Sequence, residues 1–132
     1  MLPKSSLIMK LAIVIVSDPK SGSEEAAGRV FNALALAQES LQHGDEVDIT
    51  FIGAGTRWPA ELTKISHPFN ALYNSVRPAV RAASCGCAAA FGATEGVEAC
   101  GVPLAKENPV AGTTGLLSIR HYLVEGWQTL VF

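Results

Sequence analysis

Two cysteines separated by one glycine, Cys85-Gly86-Cys87, are the residues in this chain best suited to do chemistry. A thiolate is a nucleophile, a metal ligand and one half of a redox pair, and which role it plays depends on its surroundings. The glycine lets the backbone turn tightly between the two thiols. The competing reading is packing, since free cysteines often serve as small buried residues. A third thiol, Cys100, lies in Ala99-Cys100-Gly101-Val102-Pro103 among apolar neighbours. It reads as a buried small residue, with a resolving thiol or a further metal ligand as the alternative. Three cysteines do not suggest the paired framework of a secreted disulfide scaffold. Asp18 and Lys20, with Ser21 beside them, are the candidate substrate-binding residues. A lysine close to a thiol lowers its pKa by charge, so Lys20 would activate Cys85 or Cys87 if the fold brought them together. The bland alternative for this stretch is an exposed turn. His43, His67 and His121 have no partner at metal-ligand spacing and read as structural or surface residues. Gly53-Ala54-Gly55 lacks the third glycine and the following helix of a dinucleotide-binding fingerprint.

The elements that must position these residues are readable from periodicity. Met9 to Val16 is a β-branched apolar run, as in a strand covered on both faces. Ser23 followed by Glu24 and Glu25 predicts a helix start, and Val30, Leu34, Ala37 and Leu41 form its apolar stripe to about Gln42. Val47, Ile49 and Phe51 alternate with more polar residues and predict a second strand. A helical turn around Pro59 to Leu62, a helix over Asn70–Val76 and a short strand over Val80–Ser84 follow. Ala88 to Phe91 reads as a helix, so the two cysteines fall between a strand and a helix. There the unpaired N–H groups and the dipole of the helix favour the thiolate. Gly96 to Val102 is ambiguous and Lys106 to Gly112 is a loop. Thr113 to Glu125 reads as a helix, and Trp127 to Phe132 as a last strand. Alternating strands and helices predict an α/β domain with a mostly parallel sheet covered on both faces. In such sheets ligands bind beyond the carboxyl ends of the strands, which singles out the loops at 17–23, 53–58 and 85–87.

The bulk properties bound the function. A chain of 132 residues fits a single domain, 1–132, with residues 1–8 read as a loose leader. Charged residues make up only 17% against 48% hydrophobic. So little charge suggests that part of the surface is covered by copies of the same chain. A net charge of −2 without a basic block argues against a nucleic-acid partner. The apolar run near the start is far shorter than the roughly 20 residues of a membrane span. Ser17-Asp18-Pro19-Lys20 follows it where a signal cleavage site would lie, which points to a cytoplasmic protein.

Several segments in order resemble the DsrE/DsrF-like family of sulfur-relay proteins. They are the strand Lys10–Val16 with its long Ala-rich helix, Val47-Asp48-Ile49-Thr50-Phe51-Ile52-Gly53-Ala54-Gly55, and Cys85-Gly86-Cys87-Ala88-Ala89-Ala90-Phe91-Gly92. Ala99-Cys100-Gly101-Val102-Pro103 and the end Glu125-Gly126-Trp127-Gln128-Thr129-Leu130-Val131-Phe132 complete the set. The resemblance implies a flavodoxin-like three-layer α/β sandwich assembled as trimers or hexamers. It further implies a cysteine that receives sulfur as a persulfide from a donor protein and passes it to an acceptor protein, with no cofactor. Cys85 matches that role best and Cys87 is second, as a resolving or load-sharing thiol; the relay pattern requires only one cysteine. Two other functions compete. One is a thiol metal or redox site, with Zn–S bonds of about 2.3 Å or a strained disulfide. The other is a non-catalytic oligomeric binding or scaffold protein, in which Trp58 and Trp127 line an interface or pocket.

Overall fold

A computed structural model describes residues 8–132; residues 1–7, most of the expected leader, lie outside the described residues. Five strands form one sheet: β1 (Lys10–Ile15), β2 (Glu46–Phe51), β3 (Val80–Ser84), β4 (Leu104–Ala105) and β5 (Gln128–Val131). All neighbours are parallel, in the order β4-β3-β2-β1-β5. Six helices accompany them: α1 (Glu24–Gln42), α2 (Trp58–Leu62), α3 (Asn70–Val76), α4 (Cys85–Ala90), α5 (Thr94–Ala99) and α6 (Ile119–Val124).

Strand alternation divides the side chains between two faces. Leu11, Ile13 and Ile15 of β1 and Val47, Ile49 and Phe51 of β2 point into the main core with Val30, Ala33, Leu34 and Ala37 of α1. Tyr73 and Val76 of α3, Leu62 of α2 and Val97 of α5 belong to the same core. Full burial of each Val, Leu or Ile here contributes about 1.5–3 kcal/mol. Leu41, expected on the buried stripe of α1, is 37% exposed, and Ser40 is buried in the last turn instead. Ser23 caps α1 by accepting a hydrogen bond from the Ala26 N–H at 3.0 Å.

The opposite face carries Asp48 and the small residues Ala12 and Ala82. Here α6 lays Tyr122 on the sheet, where its hydroxyl donates to Asp48 Oδ2 at 2.7 Å and accepts from Arg81 Nε at 2.5 Å. A smaller apolar cluster of Ala82, Ala105 and Leu117 flanks this network. The protein is thus a three-layer α/β sandwich of the flavodoxin-like kind. Among the described residues, no helix is long and apolar enough to cross a membrane.

Four local expectations need correction. The helix expected over 113–125 occupies only Ile119–Val124. Gly115 has φ 104°, outside any helix, and Leu116 forms an antiparallel bridge with Asn108. The helix expected from Ala88 begins three residues earlier, at Cys85. The ambiguous stretch from Gly96 contains the second half of α5. Strand β4 was not anticipated; its two residues pair with Ala83 and Ser84.

Candidate functional site

Because every strand runs the same way, their carboxyl ends gather on one side of the sheet. β3 passes into α4 without a loop, so Cys85 and Cys87 both lie in the first turn of a helix. The segment 113–117 folds over this junction. Gly86 donates its N–H to the Gly115 carbonyl at 2.7 Å, and Leu117 donates its N–H to Ser84 Oγ at 3.0 Å. Gly86 is required for this approach: a Cβ there would fall 2.7 Å from Leu116 Cδ2 and 3.0 Å from the Gly115 oxygen. Thr113 Oγ1 accepts from the Gly115 N–H at 3.1 Å and donates to the Val110 carbonyl at 2.8 Å, which holds the covering turn.

Both cysteines are free thiols and half-buried. Two residues apart on a helix, they do not share a face. Cys85 Sγ lies 3.2 Å from Thr114 Oγ1, under the covering turn. Cys87 lines a cavity of about 380 Å³ with Ile52, Leu116, Leu117, Asn108 and Arg120 among its walls. The cavity is mostly apolar, with Arg120 its one charged side chain.

Cys100 stands elsewhere. It caps the C-terminal end of α5, with Sγ 3.3 Å from Thr63 Oγ1, and packs against the main core. Among the described residues, no three His, Cys, Asp or Glu side chains converge on a point that could hold a metal ion.

Asp18 and Lys20 are not brought to the thiols through adjacent strands, because β2 lies between β1 and β3. Asp18 instead accepts from the Lys20 N–H at 2.9 Å and from Arg57 Nη1 at 3.0 and 3.1 Å. Burial disfavours its charge, but these donors outweigh that and hold its carboxyl below the usual carboxylate value. Arg57 also donates from Nε to the Phe91 carbonyl at 3.1 Å and lies over the Phe91 ring. The loop after β1 is thereby tied to the far end of α4. Lys20 borders a second cavity, about 330 Å³, with Arg57, Trp58, Glu61 and His67. This cavity shares no wall residue with the one at Cys87.

The histidines behave as structural or surface residues. His67 Nδ1 accepts from the Phe69 N–H at 3.0 Å, and its ring packs edge-on against Trp58 and Phe69. His43 caps the end of α1, and His121 is exposed 3.8 Å from Glu125. Trp58 is buried, its Nε1 donating to the Ser17 carbonyl at 2.8 Å, while Trp127 packs on Tyr122. Sequence reasoning missed Arg57, Asn108, Thr114 and Arg120. The available signal for the last three was Gly112 and Gly115, which argue against a helix through that segment.

Comparison with protein-family models, with curated proteins and with solved structures returns no match.

Proposed function

We propose that this protein is a cysteine-based persulfide carrier or sulfurtransferase of the DsrE/DsrF-like type, loading sulfur on the Cys85-Gly86-Cys87 turn. The observation that carries the reading is a free, half-buried thiol on the wall of a cavity at the carboxyl ends of the strands, Cys87. A cavity gives a sulfur donor somewhere to sit and shields the bound persulfide from competing thiols. It favours Cys87 as the acceptor. Cys85, which the family resemblance favours, faces the Thr114 hydroxyl and is the second thiol. Their outward divergence on α4 disfavours a direct disulfide between them, and Cys100 packs beside Thr63 against the main core and does not line the Cys87 cavity. An acceptor protein for the sulfur, a cytoplasmic setting and assembly into trimers or hexamers belong to the same proposal. Leu123, Val124 and Val131, each more than 60% exposed on α6 and β5, supply apolar surface for self-association.

The test is mass spectrometry after incubation with a sulfur donor. The wild type is expected to gain one sulfur atom, retained in Cys85→Ser and lost in Cys87→Ser. No gain in the wild type sinks the reading. The same exposed apolar surface favours a second reading, an oligomeric binding or scaffold protein; full function of the double cysteine variant in cells supports that one.

A further inference from the structure

The geometry points to the kind of sulfur donor that Cys87 accepts: a small, anionic organic persulfide held by Arg120. This inference rests on the reading of Cys87 as the acceptor thiol.

Size comes first. A volume of about 380 Å³ equals roughly a dozen water molecules at about 30 Å³ each. That admits a small organic molecule. The lining sets the chemistry. Ile52, Leu116 and Leu117 offer an apolar wall for a short hydrocarbon stem. Arg120 supplies a fixed positive charge with a planar array of donors, suited to a carboxylate or sulfonate.

Arg120 is available for that role. It forms no ion pair among the described residues. Two acids, Glu107 and Glu125, line a neighbouring cavity with Arg120, and neither forms an ion pair with it. Glu107 accepts from Arg81 Nη2 at 3.2 Å and from the Ser118 N–H at 3.1 Å. Glu125 lies 3.8 Å from His121. A guanidinium without an acid among the described residues, on the wall of an apolar cavity that a thiol also lines, is a recognition element for an anionic tail. The opposite charge at the same position would repel it.

The transfer balances without an outside oxidant. The Cys87 thiolate attacks the outer sulfur of R–S–S–H. The S–S bond of the donor breaks, a new S–S bond forms at Cys87, and the departing R–S⁻ takes the proton. The products are R–SH and the Cys87 persulfide anion.

Two probes separate recognition from sulfur chemistry. Iodoacetate and iodoacetamide alkylate the same thiols and differ in charge. Their rate ratio at Cys87, read by peptide mass spectrometry, is expected to exceed the ratio at Cys85 by about tenfold at low salt. It should shrink as salt screens Arg120. Arg120→Gln is expected to bring the Cys87 ratio down to that of Cys85, and Arg120→Lys to keep part of the preference. The second probe is the persulfide of 3-mercaptopropionate beside that of its neutral amide, with sulfur gain at Cys87 as the readout; the acid is expected to react about tenfold faster. Equal alkylation ratios at Cys85 and Cys87, with sulfur taken up equally from acid and amide, overturn the anionic donor and leave the sulfur reading standing. An anionic preference with no sulfur uptake from either persulfide overturns the sulfur reading and this inference with it.

Discussion

Two of the cavities among the loops and helices that follow β1, β2 and β3, those at Lys20 and at Cys87, differ in what their polar groups are doing. Around Lys20 almost every polar group already has a partner within the protein. Asp18 holds Arg57, Arg57 holds the Phe91 carbonyl, Lys64 pairs with Glu61, and His67 accepts from a backbone N–H. Around Cys87, among the described residues, the thiol has no hydrogen-bond partner and Arg120 has no acid. Charged residues at the carboxyl ends of strands are thus of two kinds. One kind fastens loops to helices, and its interactions are complete before any ligand arrives. The other kind remains uncommitted, and a cavity kept with uncommitted groups is the better candidate for binding. Both cavities pass a test of position in the sheet; in the first, Lys20 is left over among otherwise paired groups, while the second joins a free thiol to an arginine with no acid among the described residues.

The largest break in that comparison comes from the segment between the cavities. The turn at 53–57 sends Arg57 to one side, and Ile52, just before it, reaches the other. Gly55 pins this turn to β1: a Cβ there would fall 2.2 Å from the Ile15 carbonyl oxygen and 2.8 Å from its carbon, both backbone atoms. Gly55→Ala is expected to cost about 4 kcal/mol or more, an effect reserved for severe clashes in buried sites. It should disorder both cavities together, as seen in urea unfolding and in faster alkylation of Cys87. A variant of wild-type stability would mean that the two sides do not share this turn as a common support.

Arg57→Met separates the two sides instead. It removes a partly buried ion pair, in which Nη1 reaches both Asp18 carboxylate oxygens, and a link to α4, at a cost of about 1–2 kcal/mol after allowance for exposure. Thermal unfolding should shift downward while Cys87 alkylates at the wild-type rate in the folded protein. A slowed or accelerated Cys87 would show that the fastened region also shapes the thiol cavity, and would weaken the division between bracing and binding.

How much of this was legible beforehand follows the range of the interactions involved. β2 and α1 were visible because their apolar residues recur at the period of the element, and β1 because it is a β-branched apolar run. β4 was not, since two residues carry no period and its existence depends on pairing with Ala83 and Ser84. The helix over 113–125 was overextended because Leu116 and Leu117 fall at helical spacing from Leu123 and Val124. In the fold, Leu117 packs on Ala82 and Ala105 of the sheet from a non-helical segment, and Ser118 starts the helix by accepting from the His121 N–H. That error concealed the cavity, since the covering turn and Arg120 were placed on one continuous helix. The cysteine pair was found at once, by residue type. Its separation from Lys20 could not be, because it depends on strand order.

A third kind of polar group sharpens the comparison at the smallest expected effect. Tyr73 is fully buried in the main core, and its hydroxyl has no hydrogen-bond partner among the described residues. It borders no cavity described above, so its vacancy has no ligand to serve and counts only as a cost. Such an orphaned hydroxyl costs about 1–3 kcal/mol, and Tyr73→Phe removes it with little change of shape. The variant is expected to gain about 1 kcal/mol at neutral pH. The pH dependence gives an independent check. Burial pushes the Tyr73 hydroxyl up from 10.0 to about 12, with the nearby Arg77 charge pulling the other way. The folded state therefore holds this proton more tightly than the unfolded state. Its contribution is complete below pH 10 and is lost as pH rises from 10 to about 12. Two pKa units amount to about 2.7 kcal/mol, so the stability gap in favour of Tyr73→Phe should widen by up to that amount across the window. Urea unfolding of both proteins at pH 7, 9 and 11 measures it. A variant less stable than wild type at pH 7 would mean that the hydroxyl has found a partner. Vacant bonding capacity would then be no guide, here or at Cys87, to which polar groups await a ligand.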